Sequence, residues 1–435
     1  MNPEVLIGII GCIVLLILLA GSMPVGFAMA IVGTIGMAVI NGNIHSALSM
    51  GVNEFFDTFS NPSFIVIPLF VLMGQISFHA GISKRLFNSA YRWLGHLHGG
   101  MAMATVGACT VFGAICGSGP ATAATMASVS IPEMKRYKYS MELASGAVAA
   151  GGSLGMLIPP SVVFIVYGIM TQESIGKLFI AGIIPGIMIA VLFCLSIYFN
   201  CKRKPELGPA CPKSSWKARF ISLKDITETL ILFVVVLGGM FGGFFSPTSA
   251  AGIGAAGSII IALCRKQLTF RTFKKAVGET LRTSCMVLTI VAGAGVLSRF
   301  LATSEITTSM ADWIVHLTLP SWCIMTGIIL FFLIAGCFID ALALILLTIP
   351  IFESVIPTLG YDMIWFGVMV VLVTQMGVIT PPVGVNAYVV SGIQRDISLQ
   401  TVFKGSMPFL LMLIVAAVIL MLFPQIALWL PGVVN

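Results

Sequence analysis

Two short stretches of this chain carry residue types that free backbone oxygen inside an apolar segment. Gly155-Met156-Leu157-Ile158-Pro159-Pro160-Ser161 returns, 222 residues further on, as Gly377-Val378-Ile379-Thr380-Pro381-Pro382-Val383. Proline has no N–H to give, so a Pro-Pro pair releases the carbonyls four residues earlier, Gly155 and Met156 in one stretch, Gly377 and Val378 in the other. In hydrocarbon such carbonyls survive only where protein, water or an ion replaces the lost partner. Together with Ser118, Thr380 and Asp340 they make hard oxygen sets of the kind a small cation takes. We therefore expect two sodium sites related by a pseudo-twofold axis. The first draws on Ser118, Gly155, Met156, Leu157 and Pro160, and the second on Gly336, Asp340, Gly377, Val378, Ile379 and Thr380.

The segments that restart after each break, at Ser161 and Val383, point free N–H groups inward and favour an anionic substrate, with the Ser161 hydroxyl assisting. Asp340 is the sole charged residue between Asp312 and Glu353. A charge at a helix centre costs ~2.5 to 3.5 kcal/mol on insertion scales, which points to ion or substrate coordination rather than to a structural polar lock. Ser118, Ser161 and Asp340 are accordingly candidate substrate contacts. Arg299 is a fourth: it either pairs with a substrate carboxylate or snorkels to the interface.

Other chemistries are poorly supplied. The ten cysteines show no C-x-x-C pair or metal-ligand spacing and read as small apolar packers. Gly252-Ile253-Gly254-Ala255-Ala256-Gly257 matches G-x-G-x-x-G, but it sits inside an apolar run without a preceding strand, so close helix packing is the better reading. His96 and His98 lie in a basic stretch suited to an interfacial amphipathic helix, and His45, His79 and His316 fall near span ends. Neither a Ser-His-Asp set nor paired carboxylates support an enzyme.

The elements that must position these residues are membrane spans. Of 435 residues, 58% are apolar and 9% charged, against about 25% charged in a soluble domain. The run at 5–21 has Glu4 before it and no cation, so it is a retained span and not a signal peptide. The net charge of +7 reflects short basic stretches at 84–92, 135–138, 202–224 and 265–282, with Arg395 and Lys404. They are read as cytoplasmic markers, not as a nucleic-acid surface, although the 202–224 stretch also suits anionic lipid. Counting spans between them places both termini on the periplasmic side. It also makes 101–131 and 324–349 re-entrant hairpins with tips at 117–120 and near Gly336. Repeats of opposite orientation with broken helices are a transporter signature. The expected fold is an all-α integral membrane protein: an inverted-topology repeat with two hairpins and two broken helices. Residues 1–62 and 201–284 form a scaffold, and residues 63–200 and 285–435 a transport unit.

At these residues the sequence resembles the large membrane (DctM-like) subunit of tripartite ATP-independent periplasmic (TRAP) transporters. The motifs are Gly113-Ala114-Ile115-Cys116-Gly117-Ser118-Gly119-Pro120-Ala121-Thr122-Ala123-Ala124 and the two Pro-Pro stretches, and the likeness covers nearly the whole chain. Cys116 stands where the family commonly has serine, so its contribution to the first sodium site is its carbonyl. The resemblance implies a sodium-driven importer of the elevator type in a bacterial inner membrane. Its partners are a small four-helix membrane subunit and a periplasmic substrate-binding protein, and its substrate is an organic acid such as sialic acid or a C4-dicarboxylate. A stand-alone sodium/dicarboxylate symporter and an ion channel are the rival readings.

Overall fold

The computed structural model describes residues 3–315 and 319–434; His316 lies outside them. Among the described residues the chain is helical throughout, and 6 of its helices are long and apolar enough to cross a membrane. Helix ends fall where local chemistry sets them. Asn43, Ser174, Thr269 and Ser398 each cap the helix that follows, their side chains accepting from first-turn N–H groups.

The 222-residue offset runs through the architecture. Val25–Asn41 corresponds to Pro247–Cys264, Gly100–Cys116 to Ser321–Gly336, and Gly119–Arg136 to Ala341–Phe352. Met141–Ser153 and Val162–Met170 likewise correspond to Met363–Gly377 and Val385–Ile393, and Ile175–Arg203 to Leu399–Leu422. The halves also differ. In the first half Asn61 and Pro62 break the chain between helix Ile44–Ser60 and the segment that ends at His79; with no proline at the matching point, Phe270–Thr303 is one helix of 34 residues. The divisions drawn at 200/201 and 284/285 therefore fall inside continuous helices, Ile175–Arg203 and Phe270–Thr303.

Ile44–Ser60 has no place among the apolar runs of the sequence, because it is an inside-out amphipath. Ile44, Leu48, Val52, Phe56 and Phe59 recur at helical spacing on its exposed face, while Glu54 turns inward to Arg299 at 2.5 Å. Two groups of helices follow from the packing. Phe270–Thr303 lies on Val25–Asn41, and Pro62–His79 on Pro247–Cys264. Gly254 sits at the second crossing, where a Cβ would lie 2.6 Å from Met73 Sδ, and a Cβ at Gly257 would lie 2.4 Å from a Leu232 methyl, which accounts for these two glycines of the G-x-G-x-x-G stretch as packing residues. In the other group Met141–Ser153 packs on Gly119–Arg136 and Leu399–Leu422, and Val162–Met170 on Ala341–Phe352. Hydrogen bonds between the halves tie this group together: Tyr167 Oη donates to the Met363 carbonyl at 2.6 Å, and Asn386 Nδ2 to that of Ala149 at 3.0 Å.

Candidate functional site

Each hairpin turns at a short extended link. Gly117, at φ +63°, ends the first arm, and extended Ser118 starts the second at Gly119-Pro120. The Ser118 hydroxyl makes no capping bond, while its carbonyl accepts the Thr122 hydroxyl at 2.8 Å. In the other hairpin Asp340 holds the same position and does cap: its carboxylate accepts the Leu342 N–H at 3.1 Å. One lone pair set of the carboxylate is thus used by the helix start and the rest is left exposed.

Both hairpins press backbone against a Pro-Pro break. A Cβ at Gly113 would lie 2.7 Å from Gly155 Cα, and one at Gly377 would lie 2.2 Å from the Gly336 carbonyl oxygen. No side chain larger than hydrogen fits at either contact. The segment after each break is then held by its hairpin: the Val162 N–H donates to the Gly117 carbonyl at 3.5 Å, and the Val383 N–H to that of Cys337 at 3.3 Å. Both Pro-Pro bonds are cis.

A cavity of about 320 Å³ joins the two hairpin tips. Cys116, Ser118, Met156 and Asp340, all anticipated from the sequence, line it together with Gln75 and Thr283. Its wall carries one carboxylate and neither lysine nor arginine. Gln75 and Thr283 lie one helical turn from His79 and Glu279, which pair at 3.1 Å.

The remaining anticipated residues lie elsewhere or are already bonded. Gly155, Leu157 and Pro160 are buried in the first break, and the Gly117 contact brings Pro160 against the hairpin. The Met156 carbonyl, expected free, accepts the Ser161 hydroxyl at 2.5 Å. That bond corrects the reading of Ser161 as a substrate contact: the side chain is fully buried, caps Phe164 N–H at 3.4 Å and is absent from the cavity wall. In the second break Gly377 accepts the Thr380 N–H at 3.2 Å and Val378 the Asn386 N–H at 2.9 Å, so these carbonyls are not vacant. Ile379 donates its N–H to Met376 at 3.3 Å, and the Thr380 hydroxyl is spent on the same carbonyl at 2.5 Å. Gly336 is buried at its contact with Gly377. Arg299 pairs with Glu54 and does not reach the cavity.

Sequence reading passed over Gln75, Thr283, Gln375 and Asn386. Gln375 and Asn386 are fully buried, with the Gln375 Nε2 and Oε1 and the Asn386 Oδ1 unpartnered. The available signal was the lone amide in an otherwise apolar span, and a buried amide left unsatisfied is costly enough to mark a position.

Helix pairs that meet at broken spans around a largely apolar cavity carrying a carboxylate define a multi-pass integral membrane transporter. The chain belongs to the family described as the tripartite ATP-independent periplasmic transporter, DctM component, which it matches over residues 12–426. It is a TRAP transporter large permease and not an enzyme. It is 35% identical over 380 residues to the C4-dicarboxylate TRAP transporter large permease protein DctM of Pseudomonas aeruginosa, covering 87% of this chain and 88% of that one. With the sialic acid TRAP transporter large permease protein SiaM of Vibrio cholerae it shares 32% over 415 residues, 95% of this chain and 96% of the other. Its fold is similar to the crystal structure of the Alcanivorax borkumensis YdaH transporter, with a TM-score of 0.59 over 88% of this chain and 89% of that one. At 14% identity that likeness concerns the fold alone.

Proposed function

We propose that this permease couples the import of an organic acid, such as sialic acid or a C4-dicarboxylate, to sodium. In this reading a periplasmic binding protein delivers the substrate, and a small four-helix membrane subunit completes the complex in a bacterial inner membrane. The observation that carries the proposal is the cavity between the hairpin tips, with Asp340 on its wall and no basic side chain. An organic anion entering there meets a second negative charge in a medium of low effective dielectric, where repulsion at a few ångströms amounts to several kcal/mol. A cation that enters with the substrate removes that penalty. Sodium suits the available oxygens, which are the Asp340 carboxylate, the Ser118 hydroxyl and the backbone carbonyl at Cys116; the Met156 carbonyl would first have to release the Ser161 hydroxyl. In the second break, rearrangement of the Thr380 and Asn386 hydrogen bonds would have to accompany ion entry.

The two halves are read as inserted in opposite senses, with the hairpins re-entrant and both termini periplasmic. The basic stretches near His79 and Glu279 then mark the cytoplasmic side, which makes this conformation inward-facing. Packing supports a scaffold larger than the sequence suggested, taking in Pro62–His79 and the whole of Phe270–Thr303. The hairpins and broken spans move against it as an elevator. Uptake into proteoliposomes containing both membrane subunits tests the proposal. Transport should require an inward sodium gradient and the binding protein. Uptake without the binding protein would favour a stand-alone symporter, and uptake indifferent to sodium would defeat the coupling.

A further inference from the structure

Helix Trp216–Lys224 lies across helix Ile82–Leu94 at the basic end of the molecule. Arg92 Nη1 donates to the Ala218 carbonyl at 3.0 Å, and the Ser89 hydroxyl to that of Ser222 at 3.3 Å. Between these helices Arg219 is only 9% exposed. Its guanidinium carbon lies 4.9 Å from the ring centre of Trp216 and 5.9 Å from that of Trp93, and its Nη2 is 3.4 Å from His96 Nδ1. Two donors in this cluster are buried without a partner, Arg219 Nε and Trp93 Nε1. A buried cationic donor left unsatisfied is expensive, so the pair is suited to a ligand that brings acceptor oxygens and negative charge.

Trp93 also forms one wall of an apolar cavity of about 370 Å³, which runs between Ile82–Leu94 and Gly100–Cys116 along Ala90, Gly107, Val111 and Ile226. The sequence of this collar is basic: Lys213, Lys217 and Lys224 lie in or beside helix Trp216–Lys224 and Arg92 lies on helix Ile82–Leu94, against the acids Asp225 and Glu228. Trp216 and Phe220 are 67% and 61% exposed on the same helix, as aromatic rings at a membrane interface are. One ligand chemistry satisfies an apolar slot, orphaned donors and surplus positive charge at once. We propose that this collar binds an anionic phospholipid. One acyl chain fills the cavity, and a phosphodiester oxygen accepts from Arg219 and Trp93.

The test uses the purified full-length chain, stripped of lipid in detergent, with native mass spectrometry and thermal unfolding as readouts. Phosphatidylglycerol should bind and raise the unfolding temperature more than phosphatidylethanolamine does. Arg219→Gln should weaken phosphatidylglycerol binding about tenfold, equivalent to about 1.4 kcal/mol. Gly107→Leu should do the same by filling the cavity; the space beyond that glycine is open, with no atom within 4 Å of an added Cβ, so this variant keeps the test valid if Arg219→Gln misfolds. Phosphatidylglycerol binding unchanged in the folded variants would overturn the proposal. So would equal binding of the two lipids, or inorganic phosphate alone reproducing the thermal shift.

Discussion

Asp340 and Ser118 occupy equivalent hairpin tips, but they differ in charge and in what their side chains already hold. Removing the Asp340 carboxylate takes away both a cap and the one charge on the cavity wall. Asp340→Ala is expected to lower sodium-dependent uptake at least tenfold, a loss of about 1.4 kcal/mol or more, with membrane insertion retained. Ser118→Ala should reduce uptake less, because it removes a neutral hydroxyl and leaves the Asp340 carboxylate in place. Uptake assays at graded sodium read both variants, and wild-type sodium dependence in both would remove these residues from the site. Ser161→Ala is expected to act differently. Its hydroxyl bonds the Met156 carbonyl and caps a helix, so stability should fall by about 1 kcal/mol in thermal unfolding. Outside the membrane, Lys135 donates to Asp396 and holds its carboxyl below the ordinary value. With the folded pKa depressed, the pair stabilises above the unfolded pKa, and its contribution disappears as pH falls through the folded one. Lys135→Gln should therefore flatten the acid limb of unfolding temperature against pH. The effect should be small, because both side chains are exposed.

Among the elements, the hairpins meet the breaks through glycine. Gly377→Ala places a methyl within 2.2 Å of the Gly336 carbonyl oxygen, so the hairpin must retreat; the expected cost is about 1 to 3 kcal/mol, read as a lower unfolding temperature together with lost uptake. Gly327→Ala, on the hairpin arm Ser321–Gly336, adds a Cβ that meets nothing within 4 Å. It should be neutral or slightly stabilising, since alanine is the better helix former. The Pro-Pro breaks, the hairpin turns and the 222-residue repeat were legible in the sequence because each rests on local chemistry: a missing N–H, a glycine, a lone charge. Helix Ile44–Ser60 was not legible as a span-length element. Its apolar residues face outward while Glu54 turns to Arg299, so hydropathy averaged along the chain reads it as a polar link. The continuity of Phe270–Thr303 was hidden too, because a basic stretch and an apolar run looked like two elements until packing joined them.

At the scale of the molecule, Phe270–Thr303, on the proposed scaffold side, packs against the hairpin arm Ala341–Phe352. A disulfide engineered between these two, in a background cleared of the ten native cysteines, should abolish sodium-driven uptake reversibly with reductant. Full uptake with the crosslink verified would exclude an elevator. The sequence alone determined that this chain lies in a membrane and where its helices break, and it marked the oxygens from which the proposed sodium sites are drawn. Those properties are additive in composition or confined to a few neighbouring residues. The tertiary structure decided which of those oxygens face a shared cavity and which are already engaged. Ser118 and Asp340 line one cavity from opposite halves of the chain, whereas Ser161, Val378 and Thr380 are occupied by hydrogen bonds within their own breaks, and Arg299 by an acid 245 residues away. A hydrogen bond goes to the partner that folding brings within reach, and that partner is set by packing rather than by the residue that makes the bond.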